Sequence, residues 1–178
     1  MKKLLVTLAA VLVSASTFAQ GTIFFNNRTS TGDVPVYADA TRTLGAGSLG
    51  TVNAQLFLQP AGGGALVPLT PATTFRNNSP AASFFVNPLD VTVPGFAPGT
   101  SATVIFRAWQ GADYASATVR GESAPLLISA LGGVNPQTGA IVPTPDLAGL
   151  VGFTLILPEP STIALGVLGA VALLYRRK

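Results

Sequence analysis

The stretch Ala102-Thr-Val-Ile-Phe-Arg-Ala-Trp109 carries the clearest fold signal in the chain. Its residues alternate with period two, one set being Ala102, Val104, Phe106 and Ala108 and the other Thr103, Ile105, Arg107 and Trp109. Residues 52–59 (VNAQLFLQ) alternate in the same way, with an apolar side chain at every second position. Because successive side chains of a strand point to opposite faces of a sheet, both stretches predict half-buried antiparallel strands.

Turn signals and further short apolar runs surround these two strands. Residues 60–65 (PAGGGA) contain three consecutive glycines, which allow the positive φ of a tight hairpin connection. Residues 20–157 are rich in Gly, Pro, Thr, Asn and Val, which favours many short strands. We therefore predict an all-β domain, an antiparallel β-sandwich or jelly roll, with a barrel as the alternative. The further strand candidates are 22–26, 34–37, 82–86, 89–93, 126–129 and 151–157, with a brief one at 140–142.

The charged residues are unevenly placed along the 178 residues. The chain has ten Lys and Arg against seven Asp and Glu, a net charge of +3, but five of the ten basic residues lie at its two ends. Residues 20–157 hold five arginines and six acids, a net charge of −1. Because a nucleic-acid-binding protein needs a basic face to neutralise phosphates, we expect no nucleic-acid partner.

Two residue types that carry much of enzyme chemistry are absent, since the chain has no Cys and no His. This excludes disulfides, thiol nucleophiles and Cys-ligated zinc, and it removes the commonest general base and metal ligand. We predict that the protein is not an enzyme and has no cofactor and no metal site. A loop-bound Ca²⁺ and a glycosidase using two carboxylates are less favoured alternatives. The candidate carboxylates are Asp33, Asp39, Asp90, Asp113, Glu122 and Asp146.

Residues 45–50 (GAGSLG) match the letters of the dinucleotide-binding fingerprint. Their context does not fit, because the predicted strand follows the glycines, and no acid that could hold a ribose occurs between Asp39 and Asp90. Ser48 has no histidine to deprotonate it, which excludes a catalytic triad. We predict a turn here.

Residues 109–114 (WQGADY) place aromatic side chains beside polar ones at the end of a predicted strand. This combination is typical of surfaces that stack on sugar rings while bonding their hydroxyls. The candidate glycan contacts are Trp109, Asp113 and Tyr114. The alternative is that the single tryptophan fills the core, as large aromatic side chains usually do.

The N-terminus has the three parts of a secretory signal peptide. Lys2 and Lys3 precede an apolar run at 4–13, and small residues follow up to Ala19. The run spans about 15 Å as a helix, against about 30 Å of hydrocarbon, and is too short for an anchor. We predict that residues 1–19 are a signal peptide that signal peptidase removes between Ala19 and Gln20.

The C-terminus carries a second apolar run, bounded by prolines and by cations. Pro158, Glu159 and Pro160 come before residues 161–175, which would form a helix of about 22 Å. Proline is disfavoured inside a helix but accepted in its first turn, so the triplet separates an extended segment from the helix. We predict one transmembrane helix at 161–175, with the basic tail Arg176, Arg177 and Lys178 on the cytoplasmic side.

Residues 158–178 resemble the C-terminal sorting segment of PEP-CTERM proteins, which bacteria with an outer membrane export. The resemblance rests on the order of the Pro-Glu-Pro triplet, the short apolar helix and the basic tail. It implies anchoring in the inner membrane, processing near the triplet by exosortase, a membrane-embedded cysteine peptidase, and delivery to the cell surface or the exopolysaccharide matrix. A tail anchor that stays in the membrane is the alternative.

These signals together predict an exported protein with residues 20–157 as its β-domain. We expect a structural or adhesive role at the cell surface or in the extracellular matrix. A carbohydrate-binding module for exopolysaccharide is the alternative, and a secreted glycosidase is a weaker one.

Overall fold

Regular structure in the computed structural model is almost entirely β, which confirms the all-β prediction. The structure describes residues 20–135 and 138–156, where the one helical element is a 3₁₀ turn at Ala46–Leu49. The strands are β1 (Gly21–Phe25), β2 (Arg28–Thr29), β3 (Gly32–Asp33), β4 (Asn53–Gln59), β5 (Val67–Pro68), β6 (Thr73–Thr74), β7 (Leu89–Val93), β8 (Ala102–Trp109), β9 (Arg120–Glu122), β10 (Leu126–Ile128), β11 (Gly133–Val134) and β12 (Ile141–Val142).

The two alternating stretches form the centre of a six-stranded antiparallel sheet. Its order is β10-β8-β4-β5, with β6 also paired to β4 and β9 to β8. The β4–β8 register runs from Asn53 opposite Trp109 to Gln59 opposite Thr103. A second sheet pairs β1 with β7, and β2–β3 and β11–β12 form two-stranded ribbons.

The core lies between the β1–β7 sheet and one face of the six-stranded sheet. Phe106 of β8, which is 1% exposed, contacts Phe25 of β1 edge to face at 4.9 Å between ring centroids. Phe75 stacks on it at 6.1 Å, and Phe153 meets it edge to face at 5.1 Å. Because burying a side chain of this size contributes about 1.5–3 kcal/mol, this aromatic cluster is a main source of cohesion between the two sheets.

The hairpin and the inward face of β4 agree with the sequence predictions. β4 and β5 pair antiparallel around the glycine turn, where Gly62, Gly63 and Gly64 have φ of 83°, 86° and 137°. Ala54 and Leu56 of β4 are fully buried.

The outward face of β8 is more buried than its alternation predicts. Ile105 and Trp109, expected on the outer side, are only 7% and 6% exposed. Ile105 lies opposite Phe57 in the register, and Tyr114 packs edge to face on Trp109 at 6.1 Å. Large neighbours on the outer face therefore cover these two side chains.

Two of the predicted strands, 34–37 and 82–86, are wrong. Residues 82–84 form a turn and Phe85 a bend, and the two segments make only isolated bridges, at Val86 and at Tyr37. The buried side chain of Asn27 explains why: its Nδ2 donates to the carbonyls of Val34 (2.7 Å) and Phe84 (3.0 Å), and its Oδ1 accepts from the Val86 amide (2.9 Å). The Asn27 side chain and one backbone bond, from the Val36 amide to the Phe84 carbonyl (3.2 Å), thus join these segments in place of a regular ladder.

The predicted strand at 151–157 is also irregular over its described part, residues 151–156. It makes single bridges to two different partners, because the Leu155 amide donates to the Tyr37 carbonyl (2.8 Å) and the Ile156 amide donates to the Arg120 carbonyl (2.8 Å). The segment therefore joins the edge of β9 to the 34–37 segment without belonging to either as a regular strand. The predicted strands at 22–26, 89–93, 126–129 and 140–142 correspond to β1, β7, β10 and β12.

The terminal predictions fall on residues that the structure does not describe. The signal peptide at 1–19, the triplet at 158–160, the helix at 161–175 and the basic tail at 176–178 all lie outside the described ranges. Within those ranges no helix is long and apolar enough to cross a membrane.

Candidate functional site

A cleft of about 380 Å³ opens on the outer face of the six-stranded sheet, opposite the core. We call it the outer-face cleft and define it by Gln55, Phe57, Arg107, Trp109, Asp113 and Tyr114. Its volume lies at the lower end of the range for small-molecule sites.

The strand register brings the polar floor of this cleft together. Gln55 of β4 lies directly opposite Arg107 of β8, and Glu122 of β9 lies on the other side of Arg107. Directly opposite residues of antiparallel strands share a face, so these three polar side chains form one row across the sheet. The sequence alternation placed Gln55 and Arg107 on outward faces, but only the register shows that they are neighbours.

The loop after β8 folds back over this row and supplies the wall of the cleft. Asp113 stabilises the loop, because its Oδ1 accepts from the Ser116 amide (2.9 Å) and its Oδ2 accepts from the Ser116 hydroxyl (2.7 Å). Arg120 of β9 fixes it from the sheet side by donating from Nη1 to the carbonyls of Tyr114 (3.0 Å) and Ala115 (2.8 Å). The loop is therefore stabilised from within by Asp113 and from β9 by Arg120.

The guanidinium of Arg107 contacts two aromatic rings. Its guanidinium carbon lies 4.9 Å from the ring centroid of Phe57 and 4.3 Å from that of Tyr114. Its Nε donates to Glu122 Oε2 at 2.7 Å, and the same oxygen accepts from the Tyr114 hydroxyl at 3.3 Å. Cation–π contacts of this kind contribute about 0.5–2 kcal/mol each, so the orientation of the guanidinium is fixed.

Hydrogen bonds and burial shift the pKa values of two side chains in the cleft, Asp113 and Tyr114. The backbone amide of Ser116, and then its hydroxyl, lower the pKa of Asp113. Burial, and then the charge of Glu122, raises the pKa of Tyr114. At neutral pH the cleft therefore presents an ionised Asp113 and a protonated Tyr114.

Trp109 lines the cleft although it is almost fully buried. Its indole Nε1 is buried and has no hydrogen-bond partner among the described residues. An unpaired buried donor costs about 1–3 kcal/mol. Trp109 is thus a buried residue of the outer face beside the cleft and does not belong to the core cluster between the sheets.

The structure places Trp109, Asp113 and Tyr114 in one cleft, as their grouping in the sequence suggested. It adds Phe57, Gln55 and Arg107, which the sequence analysis did not select because their neighbours come from another strand.

Three of the four remaining candidate acids, Asp33, Asp39 and Asp146, bind local partners, and Asp90 lies on β7 opposite Phe24. Asp33 pairs with Arg28 at 3.4 Å, and Asp146 accepts from the Ser30 and Ala148 amides. The Thr41 hydroxyl, followed by the Leu44 amide, lowers the pKa of Asp39 to about 2. In residues 20–135 and 138–156, no three acidic side chains come together in a group that could hold a metal.

Residues 45–50 form a tightly packed turn. A Cβ on Gly47 would lie 2.0 Å from the Arg76 carbonyl oxygen, and one on Gly45 would lie 2.4 Å from Ser83 Oγ. These glycines therefore serve close backbone packing, and the structure gives no support to phosphate binding here.

Comparison with known proteins gave no match to a family model, to a curated protein or to a solved structure. The chain is thus characterised by its own geometry, an all-β domain with an aromatic cleft on one sheet.

Proposed function

We propose that this chain is an exported protein that its C-terminal segment holds in the inner membrane until an exosortase-like peptidase processes it. The product then reaches the cell surface or the extracellular matrix, where the β-domain has a structural or adhesive role. One observation carries the proposal: a signal-peptide pattern at 1–19 and the ordered triplet, apolar run and basic tail at 158–178 stand at opposite ends of one chain.

The fold supports this role in a general way. Two packed antiparallel sheets are the arrangement of a β-sandwich, which we propose as the finer fold class. Such domains place their loops and outer faces in contact with the surroundings, and they are common in cell-surface proteins.

A carbohydrate-binding module is the second candidate, because a specific observation favours it. Aromatic Phe57 and Tyr114 line the same cleft as polar Gln55 and Asp113. A glycosidase has less support, since the two acids nearest this cleft, Asp113 and Glu122, are engaged with Ser116 and Arg107.

Fractionation of a host that contains an exosortase tests the proposal. Immunoblots of inner-membrane and surface fractions should show wild type at the surface in shortened form, and Glu159→Ala in the membrane at full length. Asp33→Ala, which removes an exposed acid on β3, is the matched control and should behave as wild type. If wild type and Glu159→Ala both stay in the membrane at full length, the tail is only an anchor.

A further inference from the structure

We infer that the outer-face cleft binds the carboxylate of an acidic sugar through the free edge of Arg107. The inference deepens the proposed function, on which it rests for the source of the ligand, a uronate-containing matrix polysaccharide.

The guanidinium of Arg107 is preorganised. It lies over the rings of Phe57 and Tyr114, and its Nε donates to Glu122. Neither Nη1 nor Nη2 makes a hydrogen bond within the part of the chain that the structure describes, although the side chain is 22% exposed. A planar guanidinium whose orientation is already fixed loses little entropy when its Nη edge binds a carboxylate.

The groups that line the cleft beside Arg107 suit a saccharide. A saccharide offers hydroxyl groups and apolar C–H faces, and the cleft offers aromatic rings and the Oε1 of Gln55, whose Nε2 donates to the Leu69 carbonyl (2.9 Å). A poly-glutamate peptide offers carboxylates but no hydroxyls and no sugar ring. The chemistry of the lining therefore favours an acidic sugar over an acidic peptide.

The negative charge of Asp113 distinguishes two modes of binding in the cleft. Its two oxygens are occupied by Ser116, so it stabilises the wall while adding a negative charge to the cleft. That charge opposes an anionic ligand. If Asp113 instead accepted sugar hydroxyls, as the sequence grouping suggested, its neutralisation would weaken binding.

The test measures binding of the full-length chain, purified in mild detergent, to polygalacturonate and to its fully methyl-esterified form. The two polymers share a backbone and differ in charge. Wild type should bind the acid form about tenfold or more tightly than the ester, because the loss of one hydrogen bond between charged groups changes the dissociation constant by about that factor. Poly-glutamate, the acidic-peptide arm, should bind no better than the ester. Free galacturonate should compete, which separates recognition of the carboxylate from recognition of the polymer.

Four variants, one of them a control, are compared with wild type. Arg107→Gln and Arg107→Lys should reduce binding of the acid form to the level of the ester, because neither side chain keeps the two Nη groups of the planar guanidinium. Asp113→Asn should tighten it. Arg28→Gln is the matched control, since it removes an arginine that also lies over a ring, that of Phe85, outside the cleft. Thermal unfolding of each variant checks that it is folded.

Equal binding of acid and ester or strong binding of poly-glutamate would each overturn the inference, as would weaker binding by an Asp113→Asn variant that unfolds at the wild-type temperature. Absence of binding to every polymer would overturn it as well. The fractionation experiment would still decide the sorting proposal, because its outcome does not depend on the cleft.

Discussion

The ring of Tyr114 lies 4.3 Å from the guanidinium carbon of Arg107, and this contact attaches the loop after β8 to the centre of the six-stranded sheet. The Tyr114 carbonyl in turn accepts from Arg120 of the adjacent strand β9. Two arginines on neighbouring strands thus position one tyrosine. A cleft wall held in this way keeps its shape without a ligand, which is the property that a binding site on a rigid sheet requires.

The aromatic cluster of the core should dominate stability. Phe106→Ala removes a ring that contacts Phe25, Phe75 and Phe153, and we expect it to lower the free energy of unfolding by about 3–5 kcal/mol. Leu127→Ala, at a position that is 64% exposed, should change it by less than about 0.5 kcal/mol. Urea unfolding of the full-length chain measures both, and similar losses would contradict the described core.

The buried side chain of Asn27 should contribute about as much to the free energy of unfolding as a core side chain. Asn27→Ala leaves the carbonyl of Val34 and the amide of Val86 without a partner, while the Phe84 carbonyl keeps its bond from the Val36 amide. At about 1–3 kcal/mol for each buried unpaired group, we expect a loss of at least about 2 kcal/mol. Asn78→Ala, an exposed asparagine, is the control for urea unfolding. A small effect of Asn27→Ala would show that the 34–37 and 82–86 segments are held by other contacts.

Residues 151–156 approach β9 closely, so a larger side chain in place of Gly121 should destabilise the fold. A Cβ at this position would lie 2.8 Å from the Thr154 carbonyl oxygen. Gly121→Ala should therefore cost about 1–3 kcal/mol through overpacking, measured by thermal unfolding. Ala124→Ser adds one atom at an exposed position nearby and should be neutral. If both variants unfold at the wild-type temperature, the segment does not pack on β9 as described.

Asp39 should make a contribution to the stability of the domain that is lost in acid. Its folded-state pKa of about 2 lies below the ordinary 3.8, so the ionised carboxylate is favoured by folding. The resulting stability is present above pH 4 and is lost as the pH falls towards 2. Wild type should therefore exceed Asp39→Asn in unfolding temperature at pH 7, and the difference should shrink between pH 4 and pH 2. A constant difference over that range would mean that the bonds do not depend on the charge.

The sequence predicts the centre of the fold because the inward faces of β4 and β8 are apolar at every second position, and burial enforces this alternation. It fails at residues 34–37, 82–86 and 151–156, which are apolar but have irregular backbone. Val36, Val86 and Leu155 are buried, whereas Val151 and Ile156 are exposed. The backbone partners of these segments are the Asn27 side chain and single bridges, which leave no periodic pattern in the chain.

The candidate site was predictable only where it is local in sequence. Trp109, Asp113 and Tyr114 lie within six residues of one another, and their chemistry is visible together. Phe57 and Gln55 come from β4, and a shift of the β4–β8 register by one residue would turn them to the other face. The pairing of Arg107 with two rings is thus a property of the register, which the alternation alone does not determine.

The central claim, export followed by processing at the C-terminus, is tested most directly by the terminal peptides of the protein recovered from the surface fraction. Mass spectrometry should find an N-terminus at Gln20 or within one or two residues of it, and a C-terminus near Pro158–Pro160 without Arg176, Arg177 and Lys178. A surface form that begins at Met1, or that retains the basic tail, would contradict the claim.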